Sequence, residues 1–121
     1  AMNILTVSVG DGAAILPGGR RLSLPGLPAG GQFRLGLRPE DLRLAGATEG
    51  AIPVELRSLE RLGADAFGYG VIEGTDVPMT VRLPGNSAAK RGDRLGVLLD
   101  ESRLHLFSVE TGRRIEPAQG A

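Results

Sequence analysis

The sequence has no cysteine, no tryptophan, one histidine, one lysine and no net charge. Without cysteine there are no disulfides and no thiolate metal sites. A single histidine, His105, cannot build a histidine-cluster metal site. Fourteen basic residues balance fourteen acidic ones, so no global field steers the chain onto nucleic acid or an anionic membrane. Thirteen of the bases are arginine, a bias from which no function follows. No apolar run approaches the ~20 residues needed to span a bilayer as a helix. Aromatics are down to four: Phe33, Phe67, Tyr69 and Phe107. The opening Ala1-Met2-Asn3 lacks the charged start and apolar stretch of a signal peptide. It is expected to be an internal boundary of a larger protein, or a tag scar.

Glycine and proline are abundant instead, at 27 of 121 residues, which is about twice their usual share. Such density breaks long helices and argues against a helical bundle. Apolar residues make up 41%, enough for one core and too many for a disordered chain. The dominant period is two. Leu5-Val7-Val9, Leu22-Leu24, Phe33-Leu35-Leu37, Ile52-Val54-Leu56, Phe67-Tyr69-Val71, Met79-Val81-Leu83, Leu95-Val97-Leu99 and Leu104-Leu106 each alternate with intervening residues. Strict alternation reads as half-buried strands, with the named residues facing inward. Turn chemistry at Gly10-Asp11-Gly12, Pro17-Gly18-Gly19, Pro25-Gly26, Gly30-Gly31, Pro84-Gly85-Asn86 and Thr111-Gly112 separates them. The pattern predicts an all-β domain, a closed barrel or a sandwich of about eight to nine short, mostly antiparallel strands with little helix. Gly36, Gly68, Gly70 and Gly96 fall inside strands, where bulges and bends would curl the sheet. Leu56, Leu59 and Leu62 recur every third residue; a strand running into a Leu62-Gly63 turn is preferred to a short helix. Pro39-Glu40-Asp41 predicts one helical turn. Residues Pro117 to Ala121 are expected to fray.

The search for chemistry is negative. The lone Lys90 follows Ala89 and ends no glycine-rich phosphate loop. Gly68-Tyr69-Gly70 lies inside a strand pattern and opens no helix, so it is no dinucleotide fingerprint. A Ser-His-Asp triad would have to use His105, which reads as a half-buried strand residue on the face opposite Leu104. Glu40-Asp41 and Asp100-Glu101 are adjacent acids, and neighbours on a strand point to opposite faces. Small barrels often bind single-stranded nucleic acid, and Arg21, Arg34, Arg38, Arg43, Arg57 and Arg82 read as outward-facing. Glu40, Asp41, Glu55 and Glu60 lie among them, and the aromatics fall mostly at inward parity, so a solvated mixed-charge exterior is preferred.

Several segments together resemble one family. Gly36-Leu37-Arg38-Pro39-Glu40-Asp41-Leu42 resembles the Gly-(Ile/Leu)-Arg-Pro-Glu-(Asp/His)-(Leu/Ile) segment of the C-terminal TOBE, or transport-associated OB, domain. That domain occurs in ATP-binding subunits of ABC importers for maltose, oligosaccharides and glycerol-3-phosphate. Ala1-Met2-Asn3-Ile4-Leu5 is similar to the segment that enters it from the ATPase domain. Val54-Glu55-Leu56 through Glu60 to Leu62-Gly63 resembles a second family stretch. Val81-Arg82-Leu83-Pro84-Gly85, Gly92-Asp93-Arg94-Leu95 and Leu104-His105-Leu106-Phe107 with Glu110-Thr111-Gly112 resemble later ones. No single match is specific, but their order and spacing cover nearly the whole chain. The sequence departs at Ser108, where the family often has aspartate, and at Arg57-Ser58-Leu59.

The resemblance implies that residues 1–121 form one OB-fold-like accessory domain, with the ATPase domain upstream and absent from this chain. It implies no catalysis, metal or cofactor here, and ATP and Mg for the absent domain. It implies a regulatory and dimerisation role. The partners would be a second copy of the subunit, membrane permease subunits reached through the ATPase domain, and in some members a regulatory protein, with no nucleic acid. It places the protein in the cytoplasm, peripheral on the inner face of a prokaryotic membrane. Arg38, Pro39, Glu40 and Asp41 would make a structural turn, with Arg38 and the acids pairing locally or with the neighbouring domain. Glu60 and Asp93 are family-motif positions, Gly63 and Gly92 would serve tight turns, and Leu104, His105 and Phe107 would lie in a core strand. Two other readings stay open. One is an oxyanion-binding barrel using Ser87, Lys90 and Arg91, and the other is a single-stranded nucleic-acid-binding barrel.

Overall fold

The computed structural model describes residues 2–23, 26–46, 51–100 and 103–115. Ala1, Leu24, Pro25, Glu101 and the tail from Pro117 therefore lie outside the described residues, together with the expectations placed on them. Among the described residues, eleven strands form two antiparallel sheets. In chain order they are β1 (Asn3–Gly10), β2 (Ala13–Ile15), β3 (Arg21–Ser23), β4 (Gly30–Leu37), β5 (Leu42–Leu44) and β6 (Ile52–Leu62). Then follow β7 (Asp65–Ile72), β8 (Pro78–Pro84), β9 (Arg94–Leu99), β10 (His105–Ser108) and β11 (Arg114–Ile115). The three beyond the eight alternating runs are β2, β5 and β11, each too short to show a period. A 3₁₀ turn lies at Pro39–Asp41, where proline at the first position and two acids predicted one.

One sheet has the order β11-β10-β4-β1-β2-β3 and the other β5-β9-β6-β7-β8. The inward residues of both meet in one core. Leu5, Val7, Leu35, Leu37 and Leu106 come from the first sheet; Val54, Ile72, Met79, Val81, Leu83 and Val97 come from the second. All are nearly inaccessible, as alternation predicts for most of these strands. The all-β, barrel-like expectation holds.

Strand β7 is out of phase with the sequence reading. Ala66, Gly68 and Ile72 are buried, whereas Phe67 is half-buried and Tyr69 is 41% exposed on the outer face. The cause is volume. A Cβ on Gly68 would sit 2.8 Å from Leu56 Cδ1 and 3.2 Å from Val81 Cγ2, so large neighbours already fill the space beneath β7. The aromatics face out because no room is left inside. Phe107 shares the outer face of β10 with His105, as the alternation with Leu104 and Leu106 predicts, their ring centroids 6.5 Å apart, while Leu106 is buried in the core. Among the four aromatics, Phe33 packs against the core at the phase the sequence predicts.

No interior glycine is itself the bulged residue, although Gly70 pairs with Leu56 at the edge of the bulge. The one register shift in these ladders lies between Leu56 and Ser58 on β6, where Arg57 is the extra residue. Gly36 and Gly70 instead permit close approach. A Cβ on Gly36 would meet Met2 Sδ and Phe107 Cε2, and one on Gly70 would lie 2.2 Å from the Glu55 carbonyl oxygen.

Candidate functional site

The bulge at Arg57 has a consequence for the outer surface. Before it, Ile52, Val54 and Leu56 face inward; after it the inward residue is Leu59, and Ser58, Glu60 and Leu62 turn outward. A bulge adds one residue to a period of two, so it flips every later side chain to the other face. The three-residue step from Leu56 to Leu59 records this slip. The family-motif turn at Gly92-Asp93 pins the bulge. Gly92 N–H donates to the Leu56 carbonyl and Leu56 N–H donates to the Asp93 carbonyl, both at 2.8 Å. The Asp93 carboxylate accepts the Lys90 N–H at 3.0 Å and closes the turn, and Gly92 supplies a φ of 93° that other residues rarely adopt.

Outside the second sheet this arrangement produces a shallow groove of about 240 Å³ lined by Pro39, Glu60, Leu62, Phe67, Tyr69 and Thr80. Its walls are mostly apolar. Leu62 is 59% exposed. The Tyr69 hydroxyl donates to Glu60 Oε1 at 3.3 Å. The phenol is held above the ordinary tyrosine range by desolvation first, then by the Glu60 charge and this bond. No ion pair reaches the Glu60 carboxylate among the described residues.

Three contacts fix the groove's frame. Asn3, the buried polar residue of β1, bonds both backbone groups of Thr80. Its Oδ1 accepts the Thr80 N–H at 2.7 Å, and its Nδ2 donates to the Thr80 carbonyl at 2.8 Å. The side-chain amide thus ties β1 of one sheet to β8 of the other, doing for one residue what a ladder does for a strand. Arg103 reaches Asp41 at 3.8 Å and Asp100 at 3.6 Å, holding the 3₁₀ turn that presents Pro39. Arg61 donates to the carbonyls of Gly85 and Ser87, both at 2.8 Å, and joins β6 to the loop after β8. The sequence reading missed Arg61 and Arg103, and it met Asn3 only as part of a resemblance.

The other motif positions can now be placed. Pro39 and Glu60, distant in sequence, meet in the groove. Arg38 and Glu40 flank Pro39 and are exposed; the Arg38 carbonyl accepts the Asp41 N–H at 2.9 Å. Asp41 pairs with Arg103 at 3.8 Å. Gly63 turns the β6–β7 hairpin with φ 82°, and its carbonyl lies against Gly85. Leu104, His105 and Phe107 are half-buried in or beside β10 of the other sheet, away from the groove, and only Leu106 of that run is core.

Among the described residues no three His, Asp or Glu side chains gather where they could hold a metal. Of the oxyanion candidates, Ser87 Oγ accepts the Ala89 N–H and the Lys90 backbone N–H is given to the Asp93 carboxylate, whose charge would oppose an oxyanion in this loop. A nucleic-acid backbone would meet Glu60 between the only two outward aromatics of the second sheet. Among the described residues, no helix is long and apolar enough to cross a membrane.

Ser108 retains the chemistry of the aspartate it replaces. Its Oγ accepts the N–H groups of Glu110 and Thr111, both at 3.2 Å, as an aspartate side chain does in such a turn.

Comparison with known proteins gives three findings. The pattern of the TOBE domain family matches residues 35–107, which include all the motif positions from Arg38 to Phe107. The chain is 61% identical over 116 residues to the sn-glycerol-3-phosphate import ATP-binding protein UgpC of Paracoccus denitrificans, covering 96% of this chain and 33% of that protein. It is 43% identical over 116 residues to the protein of the same name in Cereibacter sphaeroides, covering 95% and 32%. It thus spans about a third of the length of these relatives. The crystal structure of the cytoplasmic molybdate-binding protein ModG with molybdate bound superposes with a TM-score of 0.70 at 16% identity, covering 86% of this chain and 94% of that one. At that identity the likeness is one of fold.

Proposed function

The chain belongs to the TOBE domain family, and from that premise we propose that it is the non-catalytic accessory domain of the ATP-binding subunit of an sn-glycerol-3-phosphate ABC importer. The observation that carries this reading is the 61% identity to such a subunit over 96% of the chain. In this reading ATP and Mg are bound and hydrolysed by a separate ATPase domain, which the permease subunits engage at the cytoplasmic face of the membrane. The role of the present chain is contact: a second copy of the subunit, and in regulated systems a further protein, would be met by its surface.

Three features support contact over chemistry. The groove is smaller than the roughly 300–1,000 Å³ of small-molecule sites and is open to solvent. Its walls are apolar with one acid, which is the composition of a protein interface. The polar groups around it are engaged in holding the frame, as Asn3, Arg61 and Arg103 show.

The test uses the 121-residue chain itself. Incubated with Mg-ATP it is expected to release no phosphate, and titrated with molybdate or sulfate it is expected to give no saturable heat. ATP turnover would overturn the non-catalytic reading. A saturating molybdate isotherm would replace it with the oxyanion-binding one.

A further inference from the structure

We propose that the outer face of the first sheet binds single-stranded nucleic acid, with Phe107 as the stacking platform and Arg34 and Arg114 as the phosphate contacts. The inference goes beyond the accessory-domain reading and does not rest on it. It also departs from the family resemblance, which implies no nucleic acid.

Acidic and basic residues are mixed along the sequence but separate by sheet. The strands of the first sheet contain no Asp or Glu, and their charged side chains are Arg21, Arg34 and Arg114. Glu55, Glu60 and Asp65 all lie on strands of the second sheet, where Glu55 pairs with Arg57 and Asp65 with Arg82. The mixed-charge exterior expected from the sequence therefore belongs to one sheet only. Asp11 and Glu110 lie at the margin of the first sheet, in the turns after β1 and β10.

Strand register sets the basic and aromatic groups side by side, because directly opposed residues of antiparallel strands share a face. Phe107 of β10 opposes Arg34 on one side and Arg114 on the other, and Arg34 in turn opposes Thr6. These four residues form one outward rung across four strands. Their neighbours Leu5, Leu35, Leu106 and Ile115 form the matching rung that faces the core. The next outward rung is Ile4, Gly36 and His105. Gly36 has no side chain, and the Met2 sulfur and the Phe107 ring reach over it. The His105 and Phe107 rings stack with 26° between their planes, and both residues are only half-buried, so ring surface stays open. Ile4 is 48% exposed and extends this apolar strip.

A single strand uses each of these parts. Every base has a π-face that stacks on an aromatic ring, and a phosphate flanks each nucleotide on either side. The strands carrying Arg34 and Arg114 lie about 4.8 Å to either side of the strand carrying Phe107, so a base on that ring has a cation beside each flanking phosphate. Thr6, Ser8 and Gln32, all exposed on the same face, add neutral hydrogen-bonding groups. An acidic protein would meet the arginines equally well, but it carries no flat ring in every repeat to match Phe107 and His105.

Fluorescence anisotropy of a short labelled oligothymidylate, titrated with the chain over a range of salt, tests the proposal. Saturable binding is expected at low salt, with log affinity falling against log salt at a slope of roughly −1.4 for two phosphate contacts. Phe107→Leu, which keeps apolar bulk and removes the ring, is expected to weaken binding about tenfold and leave the slope unchanged. Arg34→Glu is expected to weaken it about tenfold or more and make the slope shallower. Arg43→Glu, the same charge change on the second sheet, is expected to bind like wild type, and circular dichroism confirms that each variant is folded. No saturable binding by the wild type at low salt overturns the proposal. Equal weakening by Arg34→Glu and Arg43→Glu overturns it in favour of diffuse charge. Binding that polyglutamate displaces and Phe107→Leu leaves unchanged overturns it in favour of an acidic protein partner. None of these results touches the assignment to an importer subunit, which is tested separately by transport.

Discussion

Asn3 offers the sharpest test of how the two sheets are joined. It is 8% exposed, and both of its amide bonds, at 2.7 and 2.8 Å, go to the backbone of Thr80 on the edge strand β8. Asn3→Ala deletes both bonds and leaves the N–H and carbonyl of Thr80 without partners. An orphaned buried group costs about 1–3 kcal/mol. Thr80 is half-buried, so water recovers part of this, and a total near 2–3 kcal/mol is expected for the two groups. That is a large share of the 5–15 kcal/mol stability of an ordinary domain. For a chain of this length it corresponds to a fall in Tm of roughly 6–15 °C. Urea denaturation should show the midpoint moving down with the slope unchanged, because no exposed area changes. Asn3→Asp should cost at least as much. It keeps an acceptor for the Thr80 N–H, but sets a second oxygen against the Thr80 carbonyl and buries a charge. If Asn3→Ala falls within about 0.5 kcal/mol of wild type, the range of an inconsequential surface change, the two sheets are not held together at this point.

Other expected outcomes follow from the groove and the glycines. Tyr69 is the only tyrosine and there is no tryptophan, so absorbance near the phenolate band reports one residue. Its midpoint should lie above 10.0 and fall back toward that value in Glu60→Gln, which removes the negative charge and weakens the acceptor. Because ionisation is harder in the folded chain than in the unfolded one, this group's contribution to stability is complete below pH 10.0 and lost as pH rises through the higher folded value. Gly70→Ala should destabilise by about 3 kcal/mol or more, since its Cβ would lie 2.2 Å from a backbone oxygen. Gly10→Ala has open space around it and should stay within about 0.5 kcal/mol; equal denaturation midpoints for the two variants would refute the packing argument.

The parts of this fold that were legible in the sequence are those where side-chain alternation and burial coincide. Leu5-Val7-Val9, Ile52-Val54-Leu56 and Met79-Val81-Leu83 face the core as their period says. The 3₁₀ turn at Pro39 was legible because proline and two acids leave few alternatives there. The groove was not. It depends on two events without a local signature: a bulge at Arg57 that contains no glycine, and a strand, β7, whose small residues face inward. Alternation fixes which residues share a face but leaves open which face is inside. In β7 the aromatics suggested one choice, and the volume of Leu56, Val81 and Leu83 dictates the other. Asn3, Arg61 and Arg103 were invisible for a different reason. Asn3 and Arg61 bond bare backbone 77 and 24 residues away, and Arg103 reaches Asp41, 62 residues away, besides its sequence neighbour Asp100, so the long-range contacts have no local mark. The family resemblance captured several of these positions as motifs, and the geometry supplies their reasons: Gly92-Asp93 pins the bulge, and Asn3 joins the sheets at the groove wall.

The most direct measurement is uptake of sn-glycerol-3-phosphate by cells whose UgpC-type ATP-binding subunit has its matching region replaced by this chain. The account predicts that uptake is restored to near the parental rate, and that the same chimera with Asn3→Ala is weakened in proportion to its loss of stability. A chimera that is expressed, assembles with the permease and hydrolyses ATP, yet imports no sn-glycerol-3-phosphate, would contradict it.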